Sequence, residues 1–226
     1  MNSQVKSQFL KKPINKVIFT NVINPCCFQI HLVEYQKDLF ELIDKLNDIY
    51  YGLHVSRYNM QIQEAEIGKL CAARFSHDKN WHRGKIVEVS NISNIVKVFY
   101  IDYGGCEFVS LEKVKFLDKC FAQWPIQIIN AKLHNLKKPE NVIWDNSIIN
   151  YILERVQGKE FEVKTVGMSN DCDVFSLEIM SEISFNNKVN TFNLKKELVK
   201  DGFCEYFDEM TLGALKLYET LNKKNC

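Results

Sequence analysis

The sequence has no excess of one charge. Its 29 lysines and arginines face 28 aspartates and glutamates, a net of +1. Bulk electrostatics therefore give no case for a nucleic-acid binder, although a local basic patch is compatible with that balance. Arginine itself is scarce: Arg57, Arg74, Arg83 and Arg155 are all that 226 residues contain. Phosphodiester cleavage needs a carboxylate cluster for a metal and arginines around a pentavalent phosphate. No acidic cluster accompanies these four, and no Ser/His/Asp order, P-loop or dinucleotide fingerprint is present. The expectation is a chain that is not an enzyme and needs no cofactor. The eight cysteines include no Cys-x-x-Cys pair, and the five histidines are not at zinc spacing, so no metal site is expected. The opening Met-Asn-Ser-Gln-Val-Lys lacks the apolar core of a signal peptide. The thiols are therefore expected to be reduced, several of them buried, in a cytosolic protein. No apolar run approaches the ~20 residues of a membrane span, so no membrane partner is expected. With four prolines, nine glycines and no Gly/Ser-rich linker, nothing marks a flexible hinge.

What is present is ordinary globular material, 46% hydrophobic and 25% charged, in a chain long enough to bury a core without staples. Residues 1–12 are polar and lysine-bearing and read as a tail. Residues 15–23 are rich in β-branched side chains, Asn24-Pro25 supplies a turn, and 26–33 alternate apolar and polar, which predicts a hairpin. Leu39, Leu42, Ile43, Leu46, Ile49 and Tyr50 recur at spacings of three and four, one apolar stripe of a helix over 36–51 that stops before Gly52. Residues 53–66 read as a connector. Four short β-prone runs follow at 69–75, 81–90, 95–101 and 106–110, with turn-rich separators, and suggest a small antiparallel barrel. One helical turn fits at 111–117. Beyond Pro125 the pattern predicts a strand at 126–133, a helix at 146–157 with Asp145 as N-cap, a hairpin of 161–166 with 174–180, and helices near 193–200 and 211–222. The compact barrel thus reads as inserted into a second unit whose strands come from both sides of it.

Within 67–136, four blocks stand in order: Gly68-Lys69-Leu70-Cys71-Ala72-Ala73, then Trp81-His82-Arg83-Gly84, then Phe99-Tyr100-Ile101-Asp102-Tyr103-Gly104, then Pro125-Ile126-Gln127. This stretch closely resembles the Tudor family, whose pattern runs Gly-x-x-Cys-x-Ala, Trp-Tyr-Arg-Ala, Phe-x-Asp-Tyr-Gly-Asn and Pro-x-Gln. The flanks are similar to the extended form of that family. The resemblance implies a mainly β fold with helices, in which an SH3-like Tudor barrel is joined to a staphylococcal-nuclease-like (SN-like) barrel of the OB type. It implies a tail at 1–12, the N-terminal part of the SN-like unit with a linker helix at 13–64, the core Tudor barrel at 65–119, and the C-terminal part of the SN-like unit at 120–226. It also implies a protein-interaction module, a methylarginine reader of germline cells. The expected partner is the arginine-rich N-terminal tail of a PIWI-family Argonaute, or another germ-granule protein of the piRNA pathway, in the cytoplasm at perinuclear nuage.

The chemistry of such a site follows from the ligand. A dimethylated guanidinium keeps its charge, loses N–H donors and gains methyl surface. Aromatic faces attract the cation and desolvate the methyls, while one polar side chain accepts from a remaining N–H. By resemblance the aromatic cage falls on Phe75, His82, Tyr100 and Tyr103, and the orienting asparagine position on Gly105. Tyr100 and Tyr103 would point to opposite faces of a straight strand, so the chain is expected to bend at 101–104. Asp102 is the nearest carboxylate that would pair with an arginine, and also reads as a turn residue. His82 and Gly105 depart from the family's tyrosine and asparagine. Losing the asparagine's hydrogen bond to a charged ligand costs about 1.5–3 kcal/mol. A cage using His82 is expected to weaken as pH falls from about 8 to 6, because histidine titrates there. Two other readings stay open: a scaffold domain with an inert cage that contacts a partner or itself, and single-stranded RNA binding through the OB-like part, which would show steep salt dependence.

Overall fold

The computed structural model describes residues 11–169, 174–183, 189–190 and 193–207. Most of the expected tail, the tip of the second hairpin at 170–173 and the closing helix near 211–222 lie outside the described residues. In chain order the structure begins with strands β1 (Ile14–Asn24) and β2 (Cys27–Leu32) and helix α1 (Gln36–Tyr50), then two 3-10 turns at Val55–Tyr58 and Ile62–Glu64. Strands β3 (Leu70–Arg74), β4 (Trp81–Ser90), β5 (Ile95–Tyr100), β6 (Cys106–Ser110) and β7 (Val114–Phe116) follow. After these come helix α2 (Lys119–Ala122), strands β8 (Ile129–Leu133) and β9 (Leu136–Lys137), and helix α3 (Asn146–Val156). The described chain closes with β10 (Glu160–Ser169), β11 (Val174–Ile183), β12 (Val189–Asn190), helix α4 (Leu194–Lys200) and β13 (Glu205–Tyr206).

The strands form two units. One is the antiparallel sheet β6-β5-β4-β3-β7. The other runs β10-β1-β2-β8-β11-β12, and because β10 also pairs with β11 it closes into a five-stranded barrel drawn from both flanks of the first unit. The β8–β11 pair is parallel; the other pairings of this barrel are antiparallel. The fold is thus mainly β with helices, a small barrel inserted into an OB-type one.

Each barrel has its own core. Val17, Ile30, Ile129, Phe161 and Phe175 centre the outer unit, with Ile148, Ile152 and Val156 of α3 laid over it. Asp145 caps α3, its Oδ1 accepting from Ser147 N at 2.9 Å. Cys71, Ile86, Val96, Val98, Tyr100 and Val114 fill the inserted barrel. A third cluster is the seam. The α1 stripe of Leu39, Leu42, Ile43, Leu46 and Tyr50 packs on Ala72, Trp81 and Phe121. Tyr50 Oη donates to Phe116 O and accepts from Asp118 N, both at 2.9 Å.

Several elements differ from the sequence pattern. β7, α2, β9, β12 and β13 have two to four residues each, too few to carry a period. The strands among them exist because a partner strand is present: β7 pairs with β3, and β9 with β13. The strand expected from 126 begins only at Ile129, because the backbone before it serves another purpose. Pro125 O accepts from Arg83, and Gln127 N donates to Asp102.

Candidate binding site

β4 opens with Trp81-His82-Arg83, and strand alternation sends the middle residue one way and its neighbours the other. Trp81 packs against Tyr50 in the helix seam, with ring centroids 5.4 Å apart. His82 turns to the opposite side. There it meets Phe75, just past the end of β3, and Tyr100, which ends β5. Tyr103 joins them because the chain reverses between 100 and 105. Gly104 N donates to Tyr100 O at 2.8 Å and Tyr100 N to Gly105 O at 3.1 Å, with φ of +83° at Gly104 and +76° at Gly105. Glycine enters that region without steric cost. At Gly104 there is a second reason: an added Cβ would lie 2.6 Å from Gln29 Oε1.

The rings stand nearly edge to face. Centroids are 5.0 Å apart for Phe75–Tyr100 at 69°, 6.1 Å for Phe75–His82 at 86°, 6.0 Å for His82–Tyr100 at 85° and 5.1 Å for His82–Tyr103 at 85°. They line a cavity of about 330 Å³ together with Thr20, Asn21, Asp78, Gly104, Gly105 and Cys106. The structure thus brings together Phe75, His82, Tyr100, Tyr103 and Gly105 of the expected set.

Asp102 is placed elsewhere. It is fully buried, and its carboxylate accepts from Arg83 Nη2 at 2.6 Å and Nε at 2.8 Å. The ion pair holds Asp102 away from the cavity, and the carboxylate that lines the cavity is Asp78. His82 Nε2 lies 3.0 and 3.2 Å from the Asp78 oxygens. Burial holds the His82 imidazole below its ordinary pKa of 6.5, against the opposing pull of Asp78. His82 is therefore neutral at pH 7 and donates Nε2–H to Asp78. Burial alone would raise Asp78, but the Asn80 backbone N–H and His82 outweigh it and keep this carboxyl below its usual range. Burial pushes the Tyr103 phenol up to about 12. Burial and the 2.9 Å bond to Glu107 raise Tyr100 as well. The cavity therefore offers neutral rings and one negative charge, a setting for a cation with apolar surface. The window expected for His82 moves down accordingly, to below the ordinary histidine value, out of the upper part of the range from 8 to 6.

Sequence reasoning missed Asp78, Thr20 and Asn21. Asp78 stands four residues before His82 in the turn that joins β3 to β4. The other two sit in β1, where the structure breaks strict alternation. Val17 and Phe19 face the outer core in one phase and Val22 in the other, and the β1–β2 register shifts between Phe19 and Asn21. A β-bulge of this kind turns two successive side chains out of strict alternation. Among the described residues no group of three or more His, Cys, Asp or Glu is placed to hold a metal, and no helix is long and apolar enough to cross a membrane.

A pair of linked β-barrels with an aromatic cavity at their junction defines a class of binding module. The Tudor domain family model matches residues 10–135. The chain belongs to the Tudor family, and its fold is that of an extended Tudor domain. Zebrafish (Danio rerio) Tudor domain-containing 6 is 28% identical over 201 residues, covering 88% of this chain and 9% of that protein. The chain therefore spans less than a tenth of that relative's length. The mouse TDRD1 extended Tudor domain TD3, solved with a MILI peptide containing dimethylarginine, superposes with a TM-score of 0.71 at 23% identity, covering 86% of this chain and 94% of that one. The human TDRD1 extended Tudor domain, solved with a different, symmetrically dimethylated peptide, gives 0.69 at 24% identity, covering 85% and 90%. Tudor domains are binding modules.

Proposed function

We propose that this domain reads arginine-bearing peptides. Phe75, His82, Tyr100 and Tyr103 surround a dimethylated guanidinium, and the peptide lies along the junction of the two barrels. The observation that carries this reading is the cavity itself: four aromatic rings, meeting their neighbours edge to face, around a space of about 330 Å³ with Asp78 at its wall. Each well-placed ring contributes roughly 0.5–2 kcal/mol toward a cation, and the neutral state of His82 removes the repulsion that an imidazolium would bring. Thr20 and Asn21 come from the outer barrel and line the same cavity, which supports a peptide path between the units. The partner class we propose is the arginine-rich N-terminal tail of a PIWI-type Argonaute or another germ-granule protein of small-RNA silencing, met in the cytoplasm. Of the dimethylated peptides in the two TDRD1 structures, one comes from MILI and the other does not. They support dimethylarginine as the shared chemistry more than any single partner.

The test is calorimetric titration with one arginine-rich PIWI-tail peptide, unmodified and symmetrically dimethylated. Tighter binding of the methylated form, lost in Tyr103→Ala, is expected. Equal binding of both forms, or binding untouched by Tyr103→Ala, would sink the reading and favour a methylation-independent scaffold.

A further inference from the structure

Gly105 supplies no side-chain acceptor at the position the family's asparagine would take, and Asp78, the carboxylate at the wall, is already engaged by His82 and the Asn80 backbone N–H. We propose that Asn21, from the outer barrel, supplies the acceptor that orients a guanidinium. This inference rests on the arginine-reading function proposed above and names a recognition residue for it.

Four observations converge on Asn21. It lines the cavity beside the rings. A Cβ built on Gly105 would have Asn21 Oδ1 as its nearest neighbour, at 3.7 Å, with Cγ at 3.9 Å. The Asn21 amide therefore lies in van der Waals contact with the point where a side chain at 105 would begin. Its orientation is fixed by a relay of amides. Asn21 Nδ2 donates to Gln29 Oε1 at 2.6 Å, and Gln29 Nε2 donates to Asn130 Oδ1 at 3.2 Å. Because the amide nitrogen is engaged in that relay, the oxygen is the atom left free. Oδ1 has no hydrogen-bond partner among the described residues. Finally, the bulge at Phe19/Asn21 explains how Asn21 reaches the cavity along with Thr20.

A symmetrically dimethylated guanidinium retains one N–H on each terminal nitrogen, so an amide oxygen at the cage wall accepts one of them while the rings hold the methyls. Gln29 is buried and ties this acceptor to the cage turn, since its side chain also packs against Gly104. Orientation of the ligand thus depends on both barrels, where an asparagine at 105 would have kept it within one.

The experiment uses the whole chain and a single-site peptide, one symmetrically dimethylated arginine between glycines and alanines, by calorimetry. Asn21→Ala should weaken binding about ten- to a hundredfold, the scale of one hydrogen bond to a charged group. Asn21→Asp keeps an acceptor oxygen but loses the Nδ2 donor that the relay uses, so it should weaken binding less than Asn21→Ala does. The double variant Asn21→Ala/Gly105→Asn should recover most of the loss, because asparagine tolerates the positive φ at 105 and returns the acceptor from the other side. Recovery without the Asn21–Gln29 bond also separates lost recognition from lost folding. Asn21→Ala binding like the parent while Tyr103→Ala fails would overturn the Asn21 role and leave the cage reading intact. Failure of the parent chain to bind the peptide at all would overturn both.

Discussion

Two neighbours on one strand, His82 and Arg83, face two guanidinium environments built by opposite rules. Arg83 is the molecule's own buried guanidinium, 1% exposed. All five of its N–H groups are satisfied: Nε and Nη2 by Asp102, Nη1 by Phe121 O and Trp124 O, and Nη2 also by Pro125 O, at 2.6–2.9 Å. His82 helps line a place for a guanidinium from outside, where rings dominate and polar atoms are few. An unmodified arginine in a dry interior needs every donor paired. A methylated one has traded donors for carbon, and faces suit it better than oxygens. One strand thus welds the two barrels on one side and presents the cage on the other. Asp102, expected beside the ligand, belongs to the weld because its charge is already committed.

That contrast can be broken at the weld first. Arg83→Ala would leave the Asp102 carboxylate buried and unpaired, a loss of about 3–5 kcal/mol. For a domain of this size, at ~2–4 °C per kcal/mol, the midpoint of thermal unfolding should fall by on the order of 10 °C. A fall of only a degree or two would mean that the junction does not depend on this pair.

Gly104→Ala strikes both regions at once. The new Cβ would meet Gln29 at under 3 Å on a backbone of φ +83°, costing on the order of 1–3 kcal/mol. It should also displace Tyr103 and Asn21 together. We expect a lower unfolding midpoint, and peptide binding weakened beyond what Asn21→Ala alone produces. Binding as tight as the parent's would separate the turn from the cage.

Acidification sharpens the comparison more gently. Burial holds both His82 and His31 below 6.5, the latter although its Nε2 meets the Asp102 backbone carbonyl. The unfolded chain therefore takes up these protons at higher pH than the folded one. Their contribution is fully present above about pH 6.5 and is lost as pH falls below it. Unfolding midpoints and peptide affinity should both stay level from pH 8 to 7 and decline from 6.5 toward 5. Affinity that already drops between 8 and 7 would mean that a histidine at the site is held above its ordinary value, the opposite of what burial does here. Asp78 and Asp118, held below the usual carboxyl range, add a further loss nearer pH 4.

The smallest effect belongs to Tyr100→Phe. It keeps the ring and removes the hydroxyl that donates to Glu107. Stability should fall by about 1 kcal/mol, and peptide affinity should change less than twofold. A large loss of affinity would show that the hydroxyl, not the face, touches the ligand.

Much of this was legible before any coordinates. The α1 stripe and the four main strands of the inserted barrel follow from local periodicity, because each is written within a few residues; the rings at 75, 82, 100 and 103 came through the resemblance of the ordered motif blocks to the Tudor family. The bend that joins Tyr100 to Tyr103 followed from alternation and two glycines. The β1 bulge was not legible, because Ile18 and Ile23 put apolar residues in both phases of that strand. Its meaning could not be read there either, because nothing local says what a turned-out Asn21 will meet.

By itself, then, the sequence determined a small barrel inserted into a second unit built from both flanks, and through its resemblance to the family it pointed to a second barrel and to the aromatic residues at one rim. Only the tertiary structure decided which polar atoms surround those rings. Asn21 meets Gly105, Asp78 receives His82 and Arg83 captures Asp102 through contacts that depend on how barrels and loops close over one another. Hydrophobic periodicity records which face of an element is buried. It carries no information about which polar partner waits on the far side of the junction, and that choice sets the chemistry of the site.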